Sequence, residues 1–437
     1  MPSPSRRSVL ASIGFGAVGA GGYAAMRHAT QWNPDPEDCA IDDNERSADA
    51  PVEGSFPHPR ADHRMSGQVS GSSGTATEAA IGDEHWRTDI GPGPDSLGVG
   101  NLAAPVVSGE YCYVSDRRLY ALNRSDGTLA WCADPGPREL TSPTVADGTV
   151  FVASRFVIGR AWRGVTAFDA ETGERLWRAP SRQLLKPTVG LPETAPTVHD
   201  GSVYIGGATE TRAVTALDAD TGSVEWQTDV AEPGSRTASA AVGDGGVFAL
   251  VGSRIARLDA TSGDVTWETA AGEAYCPPVL ADGAVYAPHD DRSVARWDAT
   301  DGVHRWTFER FRERPRSLAV ADGTLYAVTE RKIIALDARE RTVSWERTGA
   351  DLVEVGVSDD GVATLRHCTV SDDCVYLSIG SSLAVLDRSD GSLVATVAFS
   401  EESEGDAVYA GRPGVPAVAG GVAYCLTETG DLYALDV

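Results

Sequence analysis

From residue 82 to the C-terminus, apolar and polar residues alternate in short runs, and no stretch keeps the three-to-four spacing of an amphipathic helix. The runs are rich in Val, Tyr and Ala, and pairs such as Asp200-Gly201 and Thr221-Gly222 separate them, supplying the left-handed backbone that tight hairpins need. One pattern recurs: a Pro-x-Val opening, an Asp-Gly turn, a Val-Tyr-Val strand, then Ala-Leu-Asp and Gly-x-x-x-Trp. The copy from Ala195 to Trp226 shows it whole. Trp131, Trp177, Trp226, Trp267, Trp306 and Trp345 follow one another at intervals of 39 to 49 residues. Each unit reads as four short strands, the size of one propeller blade, whose faces are covered only by the next blade.

The ends complete the count. The chain stops at Ala434-Leu435-Asp436-Val437 without Gly-x-x-x-Trp, whereas Gly82-Asp83-Glu84-His85-Trp86 has that segment without Ala-Leu-Asp before it. The N-terminal piece is therefore expected to add the outer strand to the last blade and close the ring. With Trp86 and Ala395 counted as outer-strand markers, the sequence predicts an all-β fold, an eight-bladed β-propeller of four-stranded antiparallel blades over 81–437.

The recurrent Ala-x-Asp-x-x-x-Gly-x-x-x-Trp resembles the tryptophan-docking motif of the pyrroloquinoline-quinone (PQQ)-like eight-bladed propellers. That family includes quinoprotein dehydrogenases and the propeller subunit of the bacterial outer-membrane barrel-assembly machinery. The resemblance implies structural docking roles for Trp86, Trp131, Trp177, Trp226, Trp267, Trp306 and Trp345. Two positions depart from the motif: Arg341 stands at the Gly position and Ala395 at the Trp position. Blade seven, which also carries an insertion from Asp351 to His367, is expected to be the loosest.

Upstream of the repeats, Ser5-Arg6-Arg7-Ser8-Val9-Leu10 precedes a glycine-containing apolar run to Met26. Residues 1–27 resemble a twin-arginine export signal or an N-terminal membrane anchor. Residues 28–80, rich in Pro, Ser, Gly and acids, read as a disordered linker whose removal costs no stability. The expected location is extracellular, or anchored at the outer face of the membrane.

Charge narrows the partners. Asp and Glu number 63 against 37 Lys and Arg, a net charge of −26, which excludes nonspecific nucleic-acid binding. Lys occurs only at Lys186 and Lys332. This acid-rich, Lys-poor composition resembles exported haloarchaeal-type proteins, with an Arg-favouring high-GC genome as the alternative. No catalytic, cofactor-binding or metal-binding set can be placed: the seven cysteines lack Cys-x-x-Cys spacing and the eight histidines are scattered. Cys368 and Cys374 flank a hairpin and are candidates for a disulfide, or two small apolar residues; Cys112 and Cys425 read as buried thiols. Trp297 reads as core, and Trp162 as a candidate exposed contact.

Against the acidic background, Arg310-Phe311-Arg312-Glu313-Arg314-Pro315-Arg316 is basic. With Arg138, Arg182, Lys186 and Arg236 in corresponding connections, Arg310, Arg312, Arg314 and Arg316 form a candidate cationic ring for an anionic ligand or a partner's acidic segment; local pairing with carboxylates is the alternative. The functional expectation is a noncatalytic, monomeric binding scaffold at the cell envelope with a protein partner and no cofactor. The alternative is a quinone-dependent oxidoreductase or a degenerate relative of one.

Overall fold

The computed structural model describes residues 39, 41, 43–69, 82–90, 103–116, 118–135, 140–154, 164–180, 195–206, 213–230, 239–273, 276–289, 292–352, 364–399, 402–404, 407–409 and 411–437. The export segment 1–27, Trp32, Trp162, Arg138, Arg182, Lys186, Arg236 and the centre of the Asp351 to His367 insertion lie outside the described residues. Among the described residues, no helix is long and apolar enough to cross a membrane.

Eight antiparallel sheets stand around a ring. Blade 1 runs from Val106–Ser108 to Leu129–Ala133, blade 2 from Thr144–Ala146 to Arg175–Pro180, and blade 3 from Thr197–His199 to Val224–Asp229. Blade 4 runs from Ala241–Gly243 to Val265–Ala270, blade 5 from Val279–Ala281 to His304–Phe308, blade 6 from Ser317–Ala321 to Val343–Thr348, and blade 7 from Leu365–Val370 to Leu393–Ala398. Blade 8 joins Ala417–Ala419, Val422–Leu426 and Asp431–Asp436 to β2 (Glu84–Asp89), so the N-terminal strand closes the ring. A fifth strand, β1 (Asp43–Arg46), pairs outside β2.

The first two strands of each blade meet at a tight turn. Asp147, Asp200, Asp244, Asp282 and Asp322 hold φ of +46° to +52°, and the glycine after each holds +66° to +76°. Two successive left-handed residues make the turn whose twist matches a right-handed hairpin. Between the third and fourth strands, the repeat Asp caps its own turn: Asp169 Oδ1 accepts from the amides of Glu171 and Thr172, and Asp218 Oδ1 from that of Thr221.

Tryptophan joins each blade to its successor. Trp131 Nε1 donates to Ala170 O at 3.0 Å, Trp177 to Ala219 O at 2.7 Å, Trp226 to Ala260 O at 2.9 Å and Trp267 to Ala299 O at 3.2 Å. Trp306, Trp345 and Trp86 bond in the same way to Ala338, Arg388 and Arg124. The ring lies over the next blade's turn glycine so closely that a Cβ there would meet it: at Gly263 the gap to Trp226 is 2.6 Å. Only glycine accommodates both that approach and φ +74°. Arg341 takes the left-handed conformation at the exceptional position, φ +61°. Where Ala395 replaces Trp, Val397 supplies the packing against Gly82.

Two expectations are corrected. Cys368 and Cys374 are free thiols. The hairpin register pairs Cys368 with Leu377 and Val370 with Val375, so the two cysteines are offset by three positions along the strands, about 10 Å, and point to opposite faces. The disulfide instead joins Cys39 to Cys132 of the outer strand of blade 1, with a Cα separation of 6.1 Å. The linker assignment of 28–80 also fails for 43–69, where Phe56 and Met65 are buried to 0% and 1% exposure.

Candidate functional site

The first strands of successive blades line a central channel. Their inner edges carry backbone amides with no strand partner, which must be satisfied by water, a ligand or another segment. Residues 53–69 do this by circling the channel once, in blade order. Gly54 packs on Gly420 of blade 8. The amides of Val107 and Val145, in blades 1 and 2, donate to Phe56 O and Pro57 O, both at 2.8 Å. His58 Nε2 lies 3.1 Å from Pro196 O before blade 3, and His63 stacks on His199 of that blade with ring centroids 4.1 Å apart. Val242, Leu280, Val320 and Val370, in blades 4 to 7, donate to the carbonyls of His63, Arg64, Ser66 and Gly67 at 2.8 to 2.9 Å.

This coil is written into local chemistry. Ala61 (φ +71°) and Met65 (φ +57°) close two tight turns, with Ala61 N donating to His58 O and Met65 N to Asp62 O. Asp62 accepts from the amides of Arg64 and Ser66 and from Ser66 Oγ. Gly67 allows contact with blade 6, since a Cβ there would sit 2.7 Å from that of Ala319. Arg60, 7% exposed, donates to Ser317 Oγ and Leu318 O. Where the segment crosses from the outside of blade 8 to the channel, the fully buried Arg124 donates to Val52 O, Glu53 O, Gly54 O and Gly109 O.

Burial gives this lining a pH signature. His58 is 2% exposed, and desolvation lowers its pKa to about 3, against only a partial opposing effect from the Pro196 carbonyl. A lowered folded-state pKa means that stability is complete above the unfolded value of about 6.5 and falls as pH drops through the window from 6.5 to 3, by about 1.4 kcal/mol per pH unit. Urea unfolding at pH 7 and pH 5 is therefore expected to differ by about 2 kcal/mol through His58 alone. His58→Gln, which keeps an amide donor for Pro196 O and does not titrate, removes that part of the slope; identical slopes in the two proteins would refute the assignment.

The arginine segment lies where the sequence placed it, between the last strand of blade 5 and the first of blade 6. Its odd positions face inward: Phe311 is 5% exposed and packs edge-on to Phe308 at 5.5 Å, Pro315 is buried and Glu313 half-buried. Arg310, Arg312, Arg314 and Arg316 are exposed. Arg316 pairs with Glu330 at 2.9 Å, and Arg331 with Glu313 at 2.8 Å, so local neutralisation is partial. Among the described residues, no carboxylate pairs with Arg310 or Arg312.

A quinone-dependent oxidoreductase would need a metal beside its quinone, and no matching site is found among the described residues. No group of three His, Cys, Asp or Glu side chains converges on a point, and the channel wall is bonded to the chain's own segment. Sequence reasoning missed Phe56, His58, Arg60, Arg124 and the Cys39–Cys132 link. One signal was present: Arg124 and Arg388 occupy a repeat position held by Ala170, Ala219, Ala260, Ala299 and Ala338 elsewhere.

Comparison with known proteins follows the fold. Serine/threonine-protein kinase AfsK of Streptomyces griseus is 30% identical over 250 residues, covering 46% of this chain and 29% of its own length. Outer membrane protein assembly factor BamB of Yersinia pestis is 27% identical over 256 residues, covering 53% of this chain and 62% of its own. The chain thus spans less than two thirds of either relative. The structure of quinohemoprotein alcohol dehydrogenase from Comamonas testosteroni matches with a TM-score of 0.67 at 14% identity, over 89% of this chain and 81% of that one, a likeness of fold alone. The family profile described as outer membrane protein assembly factor BamB matches residues 72–245, 210–351 and 333–437. By that match across the whole repeat region, the chain belongs to the BamB family of PQQ-type propellers.

Proposed function

We propose that the protein is a noncatalytic binding scaffold on the outer side of the cell membrane, exported through the Arg6-Arg7 signal and presenting its loops to a protein partner. The observation that carries this reading is the channel segment: the inner-strand amides of six blades bond to the chain's own carbonyls, which leaves the loop faces as the working surface. The BamB relatives support a role in protein binding, because they are outer membrane protein assembly factors.

The test is direct. Purified protein supplied with PQQ, calcium and a panel of alcohols and aldoses is expected to show no dye-linked dehydrogenation. Oxidation of an alcohol needs a positioned base and a cation on the quinone carbonyl. Turnover abolished by a single Asp substitution would establish the oxidoreductase alternative instead. Fractionation of cells is expected to place the chain outside the membrane, and replacement of Arg6 and Arg7 by Lys to retain it inside; export of that variant at the normal yield would contradict the twin-arginine route.

A further inference from the structure

Arg60 is a buried cation without a carboxylate. It lies on the channel segment at 7% exposure and reaches the inner strand of blade 6, where Nη1 donates to Ser317 Oγ at 2.9 Å and Nη2 to Leu318 O. A guanidinium carries five N–H donors, and these bonds leave its buried Nε–H with no acceptor. Among the described residues, no Asp or Glu oxygen comes within 4.0 Å of its nitrogens. The other buried arginine differs: Arg124 directs Nε at Tyr424 Oη and its remaining nitrogens at four carbonyls, whose dipoles surround the charge. Arg60 has one carbonyl and one hydroxyl.

Its neighbours supply no internal counterion. The Arg60 charge acts on the buried thiols of Cys276, just before the first strand of blade 5, and Cys368, in the first strand of blade 7. Cys368 Sγ lies 3.9 Å from Ser317 Oγ, the hydroxyl that Arg60 holds. Burial pushes the Cys276 thiol up to about 12 and raises that of Cys368, and the guanidinium opposes this only in part, so both stay protonated at neutral pH. His58 and His367 also feel Arg60, and burial lowers each to about 3, so neither adds charge. The cations beside His367, Arg316 and Arg366, are balanced by Glu330 and Glu428, each at 2.9 Å. One positive charge is left over.

A lone guanidinium in an apolar interior is strongly unfavourable until an opposite charge joins it. A water at Nε would accept the hydrogen bond and leave the charge unbalanced; one anion of charge −1 does both. The surroundings decide which anion. Cys276 belongs to an apolar cluster with Phe308, Phe311 and Leu318, and Cys368 to one with Ala319, Tyr326 and Leu377. Thiols are weak donors. Phosphate or sulfate, with two charges and four oxygens, would need several strong donors to replace its water. A weakly hydrated, spherical, monovalent ion needs few.

We infer that Arg60 Nε, with the thiols of Cys276 and Cys368, forms a binding site for a halide ion such as chloride, enclosed between the channel segment and blades 5 to 7. Arg60 belongs to the segment and the thiols to the blades, so the site is whole only when the segment is docked. An ion bound there stabilises the filled channel by mass action. The inference concerns the interior and is independent of the scaffold reading, which concerns the loop faces.

Two measurements on the full chain test it. Crystals in which bromide replaces chloride are expected to show an anomalous scattering peak beside Arg60 Nε. In solution, chloride is exchanged for gluconate, an anion too large for the site, at constant ionic strength, and urea unfolding is followed. An ion bound to the folded state alone lowers the unfolding constant about tenfold for each tenfold rise in chloride above its dissociation constant. Arg60→Met keeps the length of the side chain without its charge and should remove that dependence, whatever its own stability. A water alone beside Nε in the bromide crystals, or the same chloride dependence in Arg60→Met as in the unaltered protein, would overturn the site. The diffraction measurement needs no variant, so it decides the matter where Arg60→Met fails to fold. Either failure leaves the scaffold reading standing, which only quinone-dependent turnover defeats.

Discussion

Phe56→Ala is expected to destabilise the protein by about 3–5 kcal/mol, the cost of truncating a fully buried aromatic side chain. Phe56 is at 0% exposure in a core cluster with Val107, Tyr424 and Leu435, drawn from blades 1 and 8. Its amide and carbonyl both bond Val107, at 2.7 and 2.8 Å. A chain starting at residue 80 should lose more, because it also gives up Met65, the inner-edge hydrogen bonds and the Cys39–Cys132 link. That link closes a separation of 93 residues, and cross-links of such length stabilise by about 4–5 kcal/mol in the chain-entropy account. Urea unfolding of the two variants beside the full chain measures both effects. A stability equal to that of the full chain in either variant would mean that 43–69 is the linker its composition suggests.

The second large effect concerns the blade interfaces. Trp226→Ala is expected to cost about 3–5 kcal/mol, since Trp226 is 8% exposed, packs 6.0 Å from Tyr204 and donates to Ala260 O. Gly263→Ala should also destabilise strongly. It forces a β-carbon to within 2.6 Å of the indole at a backbone φ of +74°. Because the ring is what the new methyl group meets, the double variant should cost less than the sum of the two singles. Strict additivity in that cycle would contradict the docking geometry.

The propeller was legible because its signal is repeated. A Trp every 39 to 49 residues, a turn glycine four residues before it and an Asp eight residues before it fix strand order, turn type and blade count together. Ring closure followed from two half-repeats at the ends. The channel segment was not legible, because its physics is shared with a flexible chain. Gly54 and Gly67 lower apolar content and suggest a linker, yet Gly54 lets the segment touch the backbone of Gly420 and Gly67 lets it lie against the methyl group of Ala319. Arg60 and His58 look like surface residues until Ser317, Leu318 and Pro196 are placed beside them. The mistaken Cys368–Cys374 pair shows the same limit: proximity in sequence was visible, but the register that sends the side chains to opposite faces was not. Of the cationic candidates, the connection from Arg310 to Arg316 lies where the repeat places it, with exposed arginines alternating with the buried Phe311 and Pro315 as the sequence has them.

The central claim is that the chain fills its own channel, and backbone hydrogen exchange tests it most directly. The amides of Val107, Val145, Val242, Leu280, Val320 and Val370 lie on inner edges that have no strand partner, yet each donates to a carbonyl between Phe56 and Gly67. In the full chain they should exchange as slowly as the central strands of their blades, and in a chain starting at residue 80 they should become fast together. Fast exchange at these six positions in the full chain, with slow exchange in the neighbouring strands, would show an open channel and contradict the account.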